Sequence, residues 1–280
     1  MKHISNKVTV IICVRNGQDT IKLCIDSVLK NNPKEIIVVD GNSKDKTVEI
    51  CKKYNLKILN DEGIGLGNAR NIGLKEVKTE YVYYVGPDNI LEKNSISDLV
   101  KYIEKKDWVG TTPQIKIHQN NSSYIGKSLN IYRKAKMFEG EREIIGTPWI
   151  YKTNILKKFY FDDRMNYSDD TELCSRLMQA NHKIGISNVK SYELGEKKFY
   201  ELAKRWVNYG NSDSEFYRKF KNSWGIRRKF LSILSPIKKD FMVIIGSNRI
   251  YFFDKLYILP FLMFIILIRY YGWLNAKRRF

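Results

Sequence analysis

The sequence predicts an α/β fold in which helices alternate with the strands of a mainly parallel sheet. Short apolar runs of strand length recur through the first 85 residues, and apolar residues at helical spacing separate them. Glycine, asparagine and proline mark the turns between these segments. Strands that alternate with helices form βαβ units, whose strands pair in parallel. A chain of 280 residues has room for one such domain and an appendage.

The first half of the chain supplies the alternating elements in order. A run of seven apolar or β-branched residues begins at Val8, and Asp19 or Thr20 can cap the helix that follows. The sequence Asn31-Asn32-Pro33 ends that helix. The predicted strands are 8–14, 35–39, 56–59 and 81–85, and the predicted helices are 20–29, 47–54 and 67–77.

The pattern changes after residue 89. The periodicity predicts helices over 96–105, 170–180 and 198–209, with a strand over 108–114. Between residues 115 and 147 the periodicity is weak. We interpret this part as a segment that contains an exposed basic stretch over 127–136.

The cysteine and histidine pattern excludes several classes of protein. The four cysteines form no C-x-x-C pair and the three histidines are scattered, which argues against a zinc site or a disulfide framework. This pattern fits a reducing compartment. The N-terminal apolar run is only seven residues long and is followed by Arg15-Asn16-Gly17, so it is not a secretory signal.

The net charge of +19 is unevenly distributed. Residues 225–280 hold eleven basic and two acidic residues and also the most apolar stretch, 257–268. Basic residues interleaved with apolar runs favour an anionic membrane surface over nucleic acid, for which no recognised motif is present. The sequence therefore predicts an α/β domain over 1–224 and a membrane-associating region over 225–280.

The apolar stretch 257–268 is shorter than the roughly 20 residues that a membrane span needs. Basic clusters lie on both sides of it, at 227–229 and 277–279. Since basic residues prefer the cytoplasmic side, we expect a peripheral or re-entrant segment at the cytoplasmic face of the cell membrane.

Two carboxylates follow predicted strands. Asp40 ends the second strand, and Asp88 follows the fourth in the turn Gly86-Pro87-Asp88-Asn89. Ligands bind at the carboxyl ends of strands in open α/β sheets. There Asp40 can accept hydrogen bonds from a nucleotide base or ribose, and Asp88 can hold Mg²⁺ or Mn²⁺ against a diphosphate. The alternative is that both are ordinary turn or capping residues.

A second acidic pair, Asp169 and Asp170, opens the predicted helix over 170–180. A carboxylate can take the proton of an attacking hydroxyl, and a helix N-terminus helps to keep it ionised. Acidic residues are favoured in the first turn of any helix, so structural capping is the alternative.

Five segments, in order, resemble the motifs of family 2 glycosyltransferases of the GT-A fold, over about residues 8–210. The first is VTVIICVRN at 8–16. The segment 36–47 matches V-D-G-x-S-x-D-x-T, 65–73 matches G-x-A-R-N-x-G, and 169–177 resembles E-D-x-D-L-x-x-R. The turn at 86–89 matches the D-x-D motif except that Gly86 replaces its first aspartate.

This resemblance implies a role for each matching residue. It implies that Asp88 binds the metal and that Asp170, ahead of Asp169, is the catalytic base. Arg70 would contact the diphosphate or brace the metal-site loop. Trp149 would stack on an acceptor sugar, or else be a core residue. The implied donor-binding residues are Asn16, Asp40, Gly67, Arg70, Asn71 and Asp88.

The resemblance implies a metal-dependent, inverting glycosyltransferase. We expect it to move a sugar from a nucleotide-diphosphate sugar to a membrane-borne acceptor, either a lipid-linked or a surface glycan. One alternative is a polyprenyl-phosphate glycosyltransferase, whose phosphate acceptor needs little help from a base. Another is a non-catalytic nucleotide-sugar-binding relative, which the replacement of aspartate by Gly86 makes conceivable.

Overall fold

The computed structural model describes residues 2–118, 122–165 and 168–276. The predicted basic cluster at 277–279 lies outside the described residues. The strands are β1 (Val8–Val14), β2 (Glu35–Asp40), β3 (Lys57–Asn60), β4 (Tyr81–Val85), β5 (Asn89–Leu91), β6 (Gly110–Ile117), β7 (Gly140–Glu141), β8 (Trp149–Lys152) and β9 (Ile184–Glu193). The helices are α1 (Lys2–Ser5), α2 (Ile21–Leu29), α3 (Thr47–Lys52), α4 (Leu66–Glu76), α5 (Ser95–Lys106), α6 (Tyr124–Lys136), α7 (Thr153–Phe159), α8 (Asp169–Gln179), α9 (Phe199–Phe220), α10 (Ile226–Ile233), α11 (Val243–Ile245) and α12 (Phe252–Asn275).

These strands form one sheet with the order β3-β2-β1-β4-β8-β6-β9-β5, and β7 pairs with β9. The first four strands pair in parallel, as predicted. Val14 lies opposite Asp40 and Ile12 lies opposite Val85, so these strands end at a common edge. The predicted α/β class with a parallel sheet is confirmed.

Alternation along the central strands builds a core on both faces of the sheet. On β1, Val10 and Ile12 belong to one apolar cluster, whereas Ile11 belongs to the other. On β4, Tyr83 and Tyr84 point to opposite faces in the same way. Strands buried on both faces read as continuous apolar runs, which is why β1 and β4 were predicted with their observed bounds.

The second half of the chain departs from the prediction. Strand β8 was not predicted, and it joins the sheet antiparallel to β4. The basic stretch over 127–136 lies in helix α6, whose Ile125, Leu129 and Ala135 are buried. The interpretation of this stretch as exposed is therefore wrong for one face of the helix, because lysines alternate with core residues at helical spacing.

The chain divides into two compact units. The first comprises Met1–Ile115 and Phe138–Leu194, and the second comprises Lys116–Met137 and Gly195–Phe280. The first unit holds every predicted site residue. The predicted division after residue 224 concerns membrane association and stays a prediction.

Helices α9 and α12 of the second unit touch backbone to backbone. A Cβ atom added at Gly210 would lie 2.0 Å from the carbonyl oxygen of Arg269, and one added at Gly272 would lie 2.3 Å from that of Val207. Only glycine fits at these two contacts. Within the described part of the chain, no helix combines the length and the hydropathy needed to cross a membrane.

Candidate active site

Asp40 lies at the carboxyl edge of the sheet and is 5% exposed. Its Oδ2 accepts a hydrogen bond of 3.0 Å from the amide of Ser43. Its Oδ1 is buried and has no hydrogen-bond partner among the described residues. Because an unpaired buried carboxylate oxygen is costly, this atom fits the acceptor that a nucleotide base or ribose needs.

Asp88 follows β4 in a turn at the same edge. The amide of Asn89 donates to the carbonyl of Gly86 over 3.0 Å, and the amide of Gly86 donates to Asn89 Oδ1 over 2.9 Å. A Cβ atom at Gly86 would lie 2.9 Å from Asp88 Oδ1. The glycine that replaces the first aspartate of the D-x-D motif thus leaves room for the Asp88 carboxylate in its present position.

Asp169 and Asp170 open helix α8, as predicted within one residue. Asp170 Oδ1 accepts a hydrogen bond of 2.6 Å from the amide of Thr171. Its Oδ2 lies 3.5 Å from the position of a Cβ atom at Gly146, so this glycine lines the carboxylate. Burial and the charge of Asp169 raise the pKa of Asp170 to about 6, against the lowering effect of Arg70. A carboxylate with this pKa suits a general base near neutral pH.

Arg70 of helix α4 is 5% exposed and is bound by protein groups. Its Nη1 donates to Asp169, and its Nη2 donates to Thr147 Oγ1 over 2.8 Å. The guanidinium also lies over the rings of Trp149 and Phe161, at 5.1 and 5.2 Å from their centroids. The direct contact of Arg70 with the donor stays a prediction. Arg70 fixes the start of the helix that carries Asp170.

Two more residues of the same motif brace the segment before α8. The side chain of Asn71 donates to the carbonyl of Phe161 over 2.8 Å and accepts from its amide over 2.9 Å. A Cβ atom at Gly67 would lie 3.0 Å from the carbonyl oxygen of Asp162. Gly67 and Asn71 thus hold α4 against this segment, and their contact with the donor stays a prediction.

Trp149 lies in β8 and is fully buried. Its ring packs against Tyr151 and Phe161, with centroids 5.3 and 5.7 Å away. This burial contradicts the prediction that Trp149 stacks on an acceptor sugar. Trp149 is instead a core residue, which was the alternative interpretation. Strand β8 places its indole in the packed core and not at the edge of the sheet.

Asn16 connects the loops after β1 and β2. Its side-chain oxygen accepts from the amide of Lys44 over 2.8 Å, and its own amide donates to Ser43 Oγ over 2.9 Å. The backbone of Asn16 has a φ of 54°, a left-handed conformation that asparagine tolerates well. Asn16 therefore shapes the loop beside Asp40, and its direct contact with the donor stays a prediction.

Sequence reasoning missed Asp61, which follows β3 at the same edge and is 3% exposed. Its carboxylate accepts from the amides of Gly63 and Gly65 over 2.8 and 3.3 Å, and its own amide donates to the carbonyl of Asp40. It thereby shapes the turn that leads into α4. The signal was present, since Asp61 follows a predicted strand as Asp40 and Asp88 do.

A comparison with known protein families identifies the family of this chain. Residues 9–160 match the model described as glycosyl transferase family 2, which is more than half of the 280 residues. The chain belongs to this family. The resemblance seen in the motifs is confirmed.

Similar curated proteins carry the same assignment. The chain is 26% identical to the glycosyltransferase GlyA of Streptococcus pneumoniae serotype 4 over 238 residues, which cover 79% of this chain and 33% of GlyA. It is 27% identical over 207 residues to the poly(ribitol-phosphate) beta-N-acetylglucosaminyltransferase TarS of Staphylococcus aureus strain MW2, which covers 69% of this chain and 36% of TarS. The chain thus spans about a third of the length of these two relatives.

Similar solved structures share the fold. The mannosyltransferase PcManGT from Pyrobaculum calidifontis, in complex with GDP-Man and Mn²⁺, superposes with a TM-score of 0.65 at 15% identity, covering 97% of this chain and 88% of that one. Staphylococcus aureus TarS 1–349 in complex with UDP-GlcNAc gives a TM-score of 0.52 at 20% identity, covering 95% and 89%. The predicted GT-A fold is confirmed.

Proposed function

We propose that the protein is an inverting, metal-dependent glycosyltransferase that moves a sugar from a nucleotide-diphosphate sugar to a membrane-borne acceptor. The observation that carries this proposal is the position of two separate groups of carboxylates. Asp40 and Asp88 lie at the sheet edge where nucleotides bind, and Asp170 lies at a helix start with a pKa raised to about 6. Solved structures of the same fold contain GDP-Man with Mn²⁺, and UDP-GlcNAc, which supports a nucleotide-sugar donor here.

Asp170 would act as the general base. As the acceptor oxygen attacks the anomeric carbon, the carboxylate takes the hydroxyl proton. The new carbon–oxygen bond forms on the face opposite the departing diphosphate, whose bond to the anomeric carbon breaks with its electron pair. The anomeric centre is therefore inverted. Arg70 contributes indirectly, because it holds Asp169 beside the base.

A divalent cation that is shared with the donor would bind at this edge of the sheet. Among the described residues, no group of three or more His, Cys, Asp or Glu side chains could hold a metal ion. The Asp88 carboxylate would hold Mg²⁺ or Mn²⁺ together with diphosphate oxygens and water. The cation would supply charge neutralisation for the leaving diphosphate.

The first test is the Asp170→Asn variant, which keeps the size of the side chain but cannot take a proton. We expect turnover of UDP-GlcNAc or GDP-mannose with a membrane-lipid extract to fall by roughly 10²-fold or more, while binding of UDP or GDP survives. The matched control is Asp98→Asn, since Asp98 also lies in the first turn of a helix but is half exposed on α5. A near-normal rate for Asp170→Asn would overturn base catalysis and favour a lipid-phosphate acceptor.

The second test is Asp88→Ala. Because Asp88 would be the protein ligand of the cation, we expect the variant to lose the Mn²⁺-dependent part of UDP or GDP binding. Isothermal titration with and without Mn²⁺ measures this part. The control is Asp98→Asn, which should keep it. Equal Mn²⁺-dependent affinity in Asp88→Ala and wild type would contradict the assignment of Asp88.

A further inference from the structure

Helix α12 has two apolar faces, of which only one is packed. Ile258, Phe261, Leu262 and Ile265 on the inner face are at most 1% exposed. The opposite face carries a row of exposed residues three or four positions apart, which we name the outer stripe. It consists of Phe253, Leu256, Pro260, Met263, Leu267, Tyr271 and Leu274. The helix has 24 residues, and at 1.5 Å per residue the stripe extends over roughly 30 Å.

No charged residue belongs to the outer stripe. The one charged residue of α12 beyond Lys255 is Arg269, whose side chain is 13% exposed and turned inward. Its Nε and Nη2 donate to Asp213 over 2.6 and 2.9 Å, and its Nη1 donates to Asp240. The cation is thus neutralised within the second unit. A continuous apolar face of this size marks an interaction surface, unlike single exposed apolar residues.

Helix α10 also has an exposed apolar face. Ile226, Phe230 and Ile233 share one face of the helix at positions i, i+4 and i+7, and all three are exposed. Arg227 and Arg228 are exposed beside them. None of the residues of α10 is buried. An eight-residue helix is too short to be stable alone, so a partner for its apolar face would stabilise it.

The chemistry at the ends of α12 favours one kind of partner. Tyr251 and Phe252 are exposed before or at its start, and Tyr271 is exposed near its end. Such aromatic side chains are enriched where apolar and wet regions meet. The two helices are also in contact. The hydroxyl of Tyr270 donates to the carbonyl of Ile233 over 2.9 Å, so the end of α10 lies against α12.

We infer that the outer stripe and the exposed face of α10 dock in the interfacial plane of a bilayer that contains anionic lipids. The charge complementarity decides between lipid and a second copy of the chain. Residues 225–280 carry eleven basic and two acidic residues, so a symmetric contact would bring this basic region against itself. Anionic headgroups attract the arginines, and the boundary between headgroups and acyl chains takes up the apolar face. The inference concerns the attachment of the protein and does not depend on the transfer reaction.

Vesicle flotation of the purified full chain tests the inference. We expect the wild type to float with vesicles of equal phosphatidylglycerol and phosphatidylcholine, and less with phosphatidylcholine alone or at high salt. Leu267→Glu places a charge in the outer stripe and should reduce the bound fraction by about tenfold or more. The matched control is Leu23→Glu on α2, where an exposed leucine receives the same charge. It should float like the wild type.

A second measurement tests the inference if the Leu267→Glu variant fails to fold. Met263→Cys carries an environment-sensitive dye at a side chain that is 61% exposed, so labelling leaves the packed face intact. We expect a blue shift of its emission on addition of anionic vesicles, and none for the same dye at Leu23→Cys. Three results would overturn the inference: no flotation of the wild type, equal flotation of folded Leu267→Glu, or a wild-type dimer that Leu267→Glu dissociates without vesicle binding.

Discussion

Each of the two units of this protein contains a buried arginine, and the two arginines are bound by different sets of partners. Arg70 of the first unit has one carboxylate partner, Asp169, and the hydroxyl of Thr147. Arg269 of the second unit has two carboxylate partners, Asp213 and Asp240. Both guanidinium groups also lie near aromatic rings.

The carboxylates that bind these arginines differ in how many other partners they have. Asp240 is fully buried but also accepts from Lys136 over 2.9 Å and from Tyr132. Burial opposes the charge of Asp240, but Lys136 and Arg269 outweigh it and lower its pKa to about 2. Asp169 is 1% exposed, and Arg70 is its ion-pair partner among the described residues. In the second unit, Asp240 therefore keeps other partners when Arg269 is lost. In the candidate site, Asp169 depends on Arg70 alone among the described residues.

Replacing Arg70 should have the largest effect on stability. In Arg70→Met, the buried Asp169 loses its cation, and breaking a buried pair in this way costs about 3–5 kcal/mol. We expect the free energy of unfolding from urea titration to fall by that amount, and turnover to fall with it, because the helix start that carries Asp170 is no longer held.

The control for this substitution is Arg164→Met. Its side chain is 73% exposed, and that of its partner Asp162 is 11% exposed. Because water still reaches the guanidinium, this pair should contribute less than the pair of Arg70 with Asp169, and we expect the control to lose about 1 kcal/mol or less. Equal losses in Arg70→Met and Arg164→Met would show that the buried pair is not a stabilising contact.

Replacing Arg269 should cost less. In Arg269→Met, Asp240 keeps Lys136 and Tyr132, and Asp213 is 21% exposed and can be hydrated. We expect a loss of about 1–3 kcal/mol, the usual range for a buried polar group that loses one partner. Urea titration followed by tryptophan fluorescence measures it, since Trp206 and Trp273 lie in this unit. A loss larger than that of Arg70→Met would reverse the comparison.

The smallest expected effect is on the pH profile of turnover, and it separates the two acids beside Arg70. Asp170 has a pKa raised to about 6 and must be ionised to take a proton. Its protonated fraction grows as the pH falls, so turnover should drop about tenfold for each pH unit below about 6. Rates measured across this range at saturating donor check the expectation. The residual rate of Asp170→Asn should not share the drop, and a flat wild-type profile down to pH ~4.5 would argue against this base.

The sequence was most informative where local chemistry and tertiary position coincide. Strands β1 and β4 were predicted with their observed bounds because strands buried on both faces are continuous apolar runs. Helix α8 was predicted within one residue because its acidic start and apolar face agree. Strand β8 and helix α6 were missed, since Trp149 suggested a site residue and the lysines of α6 obscured its buried face.

The site was predictable in position but not in the direction of every side chain. Asp40, Asp88 and Asp170 lie where strand ends and a helix start place them. For Arg70 and Asn71 the motif gave the correct helix, but their contacts depend on the segment before α8, which is about 90 residues away in sequence. Local spacing carries no information about a partner at that distance.

The backbone contacts at Gly210 and Gly272 have a mechanical consequence. Because the backbones of α9 and α12 touch, α12 can neither roll about its axis nor slide by a turn without a collision between main chains. The angle at which its outer stripe faces away from the unit is therefore fixed before any partner arrives. On a lipid surface, such a helix would keep one orientation relative to the rest of its unit. The sizes of its outward side chains would then set how deeply it inserts.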